Sequence, residues 1–449
     1  MKVKDILKIT NGKLICGDEN IEINDFSKDT REIKDGDTYI AIKGERFDGN
    51  DFCQNAVDSG AKVCIVSKDI GAINGVAIIK VEDTLKALQD IASYKRMQYD
   101  IPVVAVTGSV GKTSTKDLIA SVVSEGYKTL KTKGNYNNEI GLPLTVLSLK
   151  DEEAMVVEMG MNHFGEIRKL TNIAKPTVAV ITNIGTAHIG NLGSRENILK
   201  AKLEILEGLQ GNTVIINNDN DLLHKWALEN KDKYNIITYG ITNESDYMAK
   251  NIKSYEDKSE FTVTSKTDIN NKKILVPVGG EHFILNSLCG VAVGEYLKVP
   301  TEKIIDGIAK LELTKKRMEI LKSKSGATVI NDTYNANYDS MKAAIAYLKA
   351  IENKRKIAIL GDMLELGDYS KELHEKVGVE VDSKIDILIT IGKEAKYIAE
   401  KSKAKQIIKC DSIEEAIEKI KEIETKDDAI LLKASNGMKL FEIASALCE

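Results

Sequence analysis

From Pro102 onward the chain alternates short apolar runs with amphipathic stretches, and this alternation restricts the fold more than any other feature. VVAVTG, AMVVEMG, PTVAVITNIG and NTVIINND read as strands, punctuated by Gly, Asn or Pro. KTSTKDLIASVVSEG, GEIRKLTNIA and SRENILKAKLEILEGL read as the helices between them. Strands this apolar must be covered on both faces, so the pattern predicts a mostly parallel sheet flanked by helices. From about 245 to 280 the sequence becomes polar and β-like, and two helices follow, EHFILNSLCGVAVGEYLKV and TEKIIDGIAKLEL. A second alternating series begins near 327, with TVIND, KIAILGDM, DILITIG and AILLKAS as its strands. Residues 1 to about 100 read as short strands and helices joined by loops rich in Gly, Asp and Lys. Boundaries are expected near 100 and 313, dividing an α/β chain into three domains, 1–100, 101–312 and 313–449.

A length of 449 residues is itself too great for one ordinary domain. The chain is 43% hydrophobic and 29% charged, which suits soluble domains with full cores. A net charge of -5 gives no electrostatic basis for binding nucleic acid or an anionic membrane. The scattered cysteines (Cys16, Cys53, Cys64, Cys289, Cys410, Cys448) have no paired or metal-like spacing and fit free thiols in a reducing compartment. MKVKDILKIT lacks the apolar core of a signal peptide, and no run approaches membrane-spanning length, so a cytoplasmic location is expected.

The first strand of the central series runs into VVAVTGSVGKTST. The usual phosphate loop is G-x-x-x-x-G-K-[ST]; here Val106 stands at the first glycine's position, and Gly108 lies only three residues before Gly111. Unpaired N–H groups and the dipole at a helix start favour an anion there. Gly108 and Gly111 let backbone approach phosphate oxygens, Lys112 can reach terminal phosphates, and the Thr113 hydroxyl can ligate Mg²⁺. A glycine turn with a solvated lysine is the bland alternative, but strand, glycines, Lys-Thr and helix coincide. A nucleoside triphosphate site is expected.

Other polar residues are ambiguous on the sequence alone. Glu158 closes a strand at the carboxyl edge of the expected parallel sheet, where ligands bind in open α/β folds. A solvated strand-end glutamate would look the same. His188, in TNIGTAHIG, could equally be a surface or core histidine, and Lys202 one more lysine on a solvated helix face.

TGSVGKTST resembles the T-G-[ST]-x-G-K-T-[ST] loop of the Mur ligase family, and the likeness extends in order through KTKGNYNNEIGLPLTVL, VVEMGMNHFGEI, ITNIGTAHIGNLGSRENILKAKLEI, INDTYNANYDSM and ILGDMLELGDYSKELHEKVG. The resemblance implies a P-loop ATPase-like central domain and a Rossmann-like third domain. It implies a ligase that uses ATP and Mg²⁺ to activate a carboxylate as an acyl phosphate, which an amine then attacks. Gly108, Ser109, Gly111, Lys112, Thr113 and Ser114 would cradle the nucleotide; Glu158 and His188 would hold Mg²⁺ with Thr113. Lys202 matches a lysine that CO₂ carbamylates, creating a further anionic ligand; Lys200 is its neighbour and rival. Asn286 matches an adenine-contacting asparagine, whereas the first asparagine of that signature is Phe283 here. Arg317 and Asp332 look like the γ-phosphate arginine and nucleotide-contacting aspartate, so ATP would be gripped across a domain interface that closes and excludes water.

NNEIG, YNAN and GDMLELG look like the members that add D-alanyl-D-alanine to UDP-N-acetylmuramoyl-tripeptide. Thr30, Arg31, Gly44, Asp48 and Gly49 map onto the uridine-nucleotide region of the first domain, with Asn50 where histidine is usual. Asn135, Asn137, Asn138 and Glu139 suit a sugar-peptide, and Tyr334, Asn335 and Asn337 suit the acceptor dipeptide. Tyr338 replaces a proline and Ala434 a glycine of the usual pattern. A monomer is expected. The competing readings are a relative adding a diamino acid to the muramoyl dipeptide, a non-ligating nucleotide switch, and a phosphotransferase.

Overall fold

The computed structural model describes residues 1–449 and contains three sheets. The first has the strand order Lys13–Cys16, Ala77–Lys80, Val63–Val66, Thr38–Ile40, Phe26–Ser27; only the Lys13–Cys16 edge runs antiparallel. Helix Thr84–Arg96 leads out of it, capped by Asp83 and packed on the helices Gly141–Leu147 and Glu166–Ala174 of the next region.

The second sheet has nine strands. Seven of them are parallel, in the order Tyr247–Ser254, Asn235–Gly240, Thr213–Asn217, Val178–Ile181, Val103–Thr107, Ala154–Glu158, Thr129–Lys131. Ser259–Thr264 and Lys273–Val276 extend it as an antiparallel meander, which accounts for the polar, alternating sequence there. Strands Val103–Thr107 and Ala154–Glu158 are buried at every residue, as expected for a sheet sandwiched by helices. The helix read through SRENILKAKLEILEGL stops at Leu203 and tightens to a 3₁₀ turn over Glu204–Glu207. There the Glu204 carboxylate turns away to accept the N–H groups of Gly165 and Arg168 at the start of a neighbouring helix.

The third sheet runs Glu319–Lys322, Thr328–Asn331, Asp428–Lys433, Arg355–Gly361, Ile387–Ile391, Gln406–Cys410, antiparallel only at the Glu319–Lys322 edge. The chain enters this region past Thr314, whose N–H and hydroxyl both donate to Asp117 Oδ2 (3.2 and 2.7 Å). Asp117 sits on helix Lys112–Val123 and is itself paired with buried Lys116 at 2.7 Å. Lys116 Nζ then donates to the Thr132 carbonyl, and the Thr132 hydroxyl accepts the Glu158 N–H. The second and third regions are pressed together on both sides of a cleft, through Arg317–Thr113, Thr186–Asp339 and the bonds of Thr328 and Lys354 to Glu256. No helix is long and apolar enough to cross a membrane.

Candidate active site

Strand Val103–Thr107 delivers the glycine loop to the carboxyl edge of the central sheet. Val106 is fully buried within the strand, so the missing glycine of the longer pattern is a sheet residue here. Gly108 has φ +154°, and a Cβ on it would lie 1.9 Å from Thr182 Oγ1. The close neighbour that demands this glycine is therefore the adjoining strand end. Asn183 Oδ1 accepts the N–H groups of Ser109 and Val110 (3.0 and 2.8 Å), while Thr182 Oγ1 donates to the Val110 carbonyl. Gly111, left-handed at φ +82°, starts helix Lys112–Val123 and leaves its first N–H groups facing the cleft. Lys112 Nζ folds back onto the Gly108 carbonyl at 2.9 Å, and burial lowers its pKa.

Opposite the loop, Glu158 ends its strand and is 1% exposed. Asn137 Nδ2 donates to its Oε1 at 2.7 Å, whereas Oε2 is buried without a partner. An orphaned carboxylate oxygen beside the glycine loop fits a hard, oxygen-seeking cation. His188 stands at φ +62° before the short helix Ile189–Leu192, its Nδ1 2.9 Å from Glu365 Oε2 without the alignment of a full hydrogen bond. Lys202 is 1% exposed and does not line the main cavity. Burial, reinforced by the charge of Lys112, drives its pKa well below the usual lysine range. A buried amine held neutral is the form that can react with CO₂. No three His, Cys, Asp or Glu side chains gather into a ready-made metal cage, so any cation here needs the Thr113 hydroxyl, substrate oxygens or a modified lysine as well.

The cavity, about 350 Å³, is walled on one side by the third region. Arg317 Nη2 donates to Thr113 Oγ1 at 3.1 Å, its guanidinium stacks 3.8 Å above the Tyr334 ring, and its Nε has no partner. Asp332 Oδ2 accepts Lys433 Nζ at 2.5 Å, and its Oδ1 accepts the Met318 N–H. Asn286 Oδ1 accepts the Thr115 hydroxyl at 3.0 Å, leaving Nδ2 buried and unsatisfied. Phe283 is 1% exposed, with the His282 ring tilted against it at 4.4 Å between centroids. Burial holds His282 neutral, its pKa lowered to about 4. Ser109, Ser114, Asn138, Asn335 and Asn337 also line the cavity. Asn337 caps helix Tyr338–Ala350, and Tyr338, in the first-turn position where proline is usual, bonds Glu380 through its hydroxyl at 3.0 Å. Ala434 is fully buried beneath Gly361.

The remaining sequence candidates lie elsewhere. Asn135 reaches towards the Tyr334 hydroxyl, and Glu139 is half-exposed beside Lys169. Thr30, Arg31, Gly44, Asp48 and Gly49 sit on loops after the parallel strands of the first sheet, outside the cavity. Arg31 is 86% exposed and grips Asp29 through Nε and Nη2. Asp48 caps the turn at Asn50 and pairs with Lys68 at 2.9 Å. Asn50, at the usual histidine position, is buried and ties this loop to Ser67 and Lys68. A Cβ on Gly49 would meet the Ala41–Ile42 backbone at 2.7 Å.

Family models place this architecture. "Mur ligase family, catalytic domain" matches residues 22–96, "Mur ligase middle domain" 106–294, and "Mur ligase, glutamate ligase domain" 316–436. The UDP-N-acetylmuramoyl-tripeptide–D-alanyl-D-alanine ligase of Bacillus subtilis is 38% identical, covering 100% of this chain and 98% of that protein. The chain is a Mur ligase. The Escherichia coli ligase of the same name is 33% identical over 100% of this chain and 98% of its own. Among solved structures, MurF from Acinetobacter baumannii superposes with a TM-score of 0.90 at 31% identity, over 100% and 98% of the two chains. MurF from Thermotoga maritima in complex with ADP gives 0.82 at 30%, over 94% and 96%.

Sequence reading passes over several residues that shape this Mur ligase's site: Asn183 under the glycine loop, His282 and Lys433 in the cavity, and Asp339 and Glu365 across the cleft. Asn183 carried a readable signal, since it follows a neighbouring strand at the same sheet edge as the loop. Asp339 and Glu365 carried none, because their partners lie 153 residues away in one case and across the other face of the cleft in the second.

Proposed function

We propose that this Mur ligase joins D-alanyl-D-alanine to UDP-N-acetylmuramoyl-tripeptide, forming the pentapeptide precursor of peptidoglycan together with ADP and phosphate. The full-length relatives carry the substrate assignment. The observation that carries the chemistry is the interdomain cavity in which Lys112, Glu158 and Arg317, from two domains, gather at one glycine loop.

The terminal carboxylate of the tripeptide attacks the γ-phosphorus of ATP, and the bond to the β-phosphate oxygen breaks, releasing ADP. The helix start at Gly111–Thr113, Lys112 and the fork of Arg317 face the charge that develops on the transferring group. The amine of D-alanyl-D-alanine then attacks the acyl carbon. The C–O bond breaks, phosphate leaves with the electron pair, and the nitrogen loses a proton to form the amide. Closure by Tyr334, Asn335 and Asp332 keeps water from the acyl phosphate. Mg²⁺, held by Thr113, Glu158, His188 and a carbamylated Lys202, would supply positive charge at the phosphates.

Residues 1–100 hold the UDP-sugar-peptide through Thr30, Arg31, Gly44, Asp48 and Gly49, with Asn135, Asn137, Asn138 and Glu139 along its peptide. Residues 101–312 hold ATP, with Asn286 on adenine, and residues 313–449 hold the dipeptide through Tyr334, Asn335 and Asn337. The enzyme acts as a monomer in the cytoplasm, in cell-wall synthesis.

The test is turnover of purified protein with ATP, Mg²⁺ and muramoyl tripeptide, offering D-alanyl-D-alanine and diamino acids separately. Amide product by mass spectrometry only with the dipeptide is expected. Product only from a diamino acid and the muramoyl dipeptide, a stable phosphorylated product, or phosphate release without acceptor would each overturn the reading. Intact-mass analysis of protein kept under bicarbonate tests the Lys202 carbamate.

A further inference from the structure

The segment 185–193, which carries His188, belongs to the central domain by sequence, where Ser109 and Asn197 each bond it once, but the third domain also grips it at several points. Asp339 Oδ2 accepts both the Thr186 N–H and hydroxyl, at 2.8 and 3.0 Å. Glu365 Oε2 sits 2.9 Å from His188 Nδ1, and the Tyr369 hydroxyl donates to the Gly193 carbonyl at 2.7 Å. Two glycines are shaped to this approach. A Cβ on Gly185 would fall 2.3 Å from Asp339 Oδ2, and one on Gly190 would fall 2.7 to 2.8 Å from the Glu365–Gly367 backbone. His188 and Glu365 face each other while both hold the left-handed conformation, φ +62° and +64°. Ordinary side chains avoid that region unless the surroundings over-determine it.

Contacts that require glycine on one domain and a carboxylate brought close from the other form only when the two domains are closed. We infer that Asp339 and Glu365 are positioning residues, which set the His188 loop from the opposite domain and fix which ring nitrogen of His188 faces the cavity. Glu365 takes the Nδ1 edge and leaves Nε2 for the site that His188 lines. Asp339 holds the loop two residues earlier, so rotation about the backbone cannot carry His188 away. Neither carboxylate touches reacting atoms; each acts through the loop. The inference rests on the ligase reading only for the catalytic consequence.

Full-length Asp339→Ala, Glu365→Ala, Glu365→Gln and the Asp339→Ala/Glu365→Ala double variant test it, by hydrogen–deuterium exchange with ADP bound and by steady-state kinetics. Glu365 is half-exposed and Asp339 lies in the first turn of its helix, so both changes spare the core. Exchange over 185–193 is expected to accelerate in both alanine variants, with none over the glycine loop at 108–113. The kcat should fall about tenfold to a hundredfold while KM for ATP stays within about twofold, the pattern of lost positioning. Glu365→Gln, which keeps a side-chain oxygen of the same reach beside Nδ1, should recover most of the rate. Unchanged exchange over 185–193, or an unchanged kcat in the double variant, would overturn the inference. If the parent chain ligates nothing, the ligase reading fails, and the exchange measurement alone still decides whether the third domain sets the loop.

Discussion

The loops of the first domain and the cavity of the second are built from the same residue types, but their polar groups are in opposite states. In the first, Arg31 is clamped to Asp29, Asp48 to Lys68, and Asn50 spends its oxygen on Ser67 and Lys68 and its nitrogen on Asp48 and Ser67. In the cavity, Glu158 Oε2 and Asn286 Nδ2 of the second domain and Arg317 Nε from the third are buried with nothing to bond. A buried polar atom left unpaired costs about 1–3 kcal/mol, so three of them in one cavity are a standing demand for a ligand. The cavity is thus organised in advance for a polar ligand, whereas the first domain presents a self-satisfied surface with few free groups.

This contrast can be broken most forcefully at the cavity. Lys112→Ala, which removes a cation facing the transferring group, or Glu158→Ala, which removes the carboxylate assigned to Mg²⁺, should each lower kcat/KM about 10³-fold or more while the thermal melt stays close to that of the parent. Near-normal turnover in either purified variant would refute the roles given to them. Arg317→Lys should cost about 10- to 100-fold in kcat, since an ammonium keeps the charge but loses the fork and the stacking on Tyr334; equal loss of ADP affinity would show that Arg317 serves binding alone.

A smaller effect concerns His282, held neutral by burial with its pKa near 4 against an ordinary 6.5. The unfolded chain takes up this proton first as pH falls, so stability is lost from about pH 6.5 down towards 4. Its size at pH 5 is about 1–2 kcal/mol, the ring being partly open to the cavity. Urea midpoints at pH 7 and 5 should therefore differ less in His282→Gln than in the parent, and equal differences would remove His282 from the acid response. Smallest of all, Arg31→Ala should leave stability unchanged within about 0.5 kcal/mol, as exposed pairs do. It should raise KM for the UDP-sugar-peptide with kcat intact; a fall in kcat alone would mean that the first domain is not simply a holding surface.

The buried parallel strands were legible because they are continuous apolar runs, and the glycine loop because strand, glycines and helix coincide. The edge strands Thr129–Lys131, Glu319–Lys322 and Gln406–Cys410 were not, since lysine, glutamate and glutamine interrupt their short apolar stretches. Glu158 was legible as a strand-end carboxylate, but its tie to Asn137 was not. The reason for Gly108 was also hidden, because Thr182 lies on a different strand and no local pattern announces it. The same holds for Asp339 and Glu365, whose meaning exists only once two domains touch.

The anchoring of Thr314 by Asp117, on the very helix that begins at the glycine loop, has a consequence for how the molecule opens. Arg317 is tethered three residues from that anchor, so while the anchor holds its Cα stays within roughly 10 Å of Thr314. Glu365 has no such tether. Opening therefore unfastens the far rim first, while the arginine stays within reach of the glycine loop.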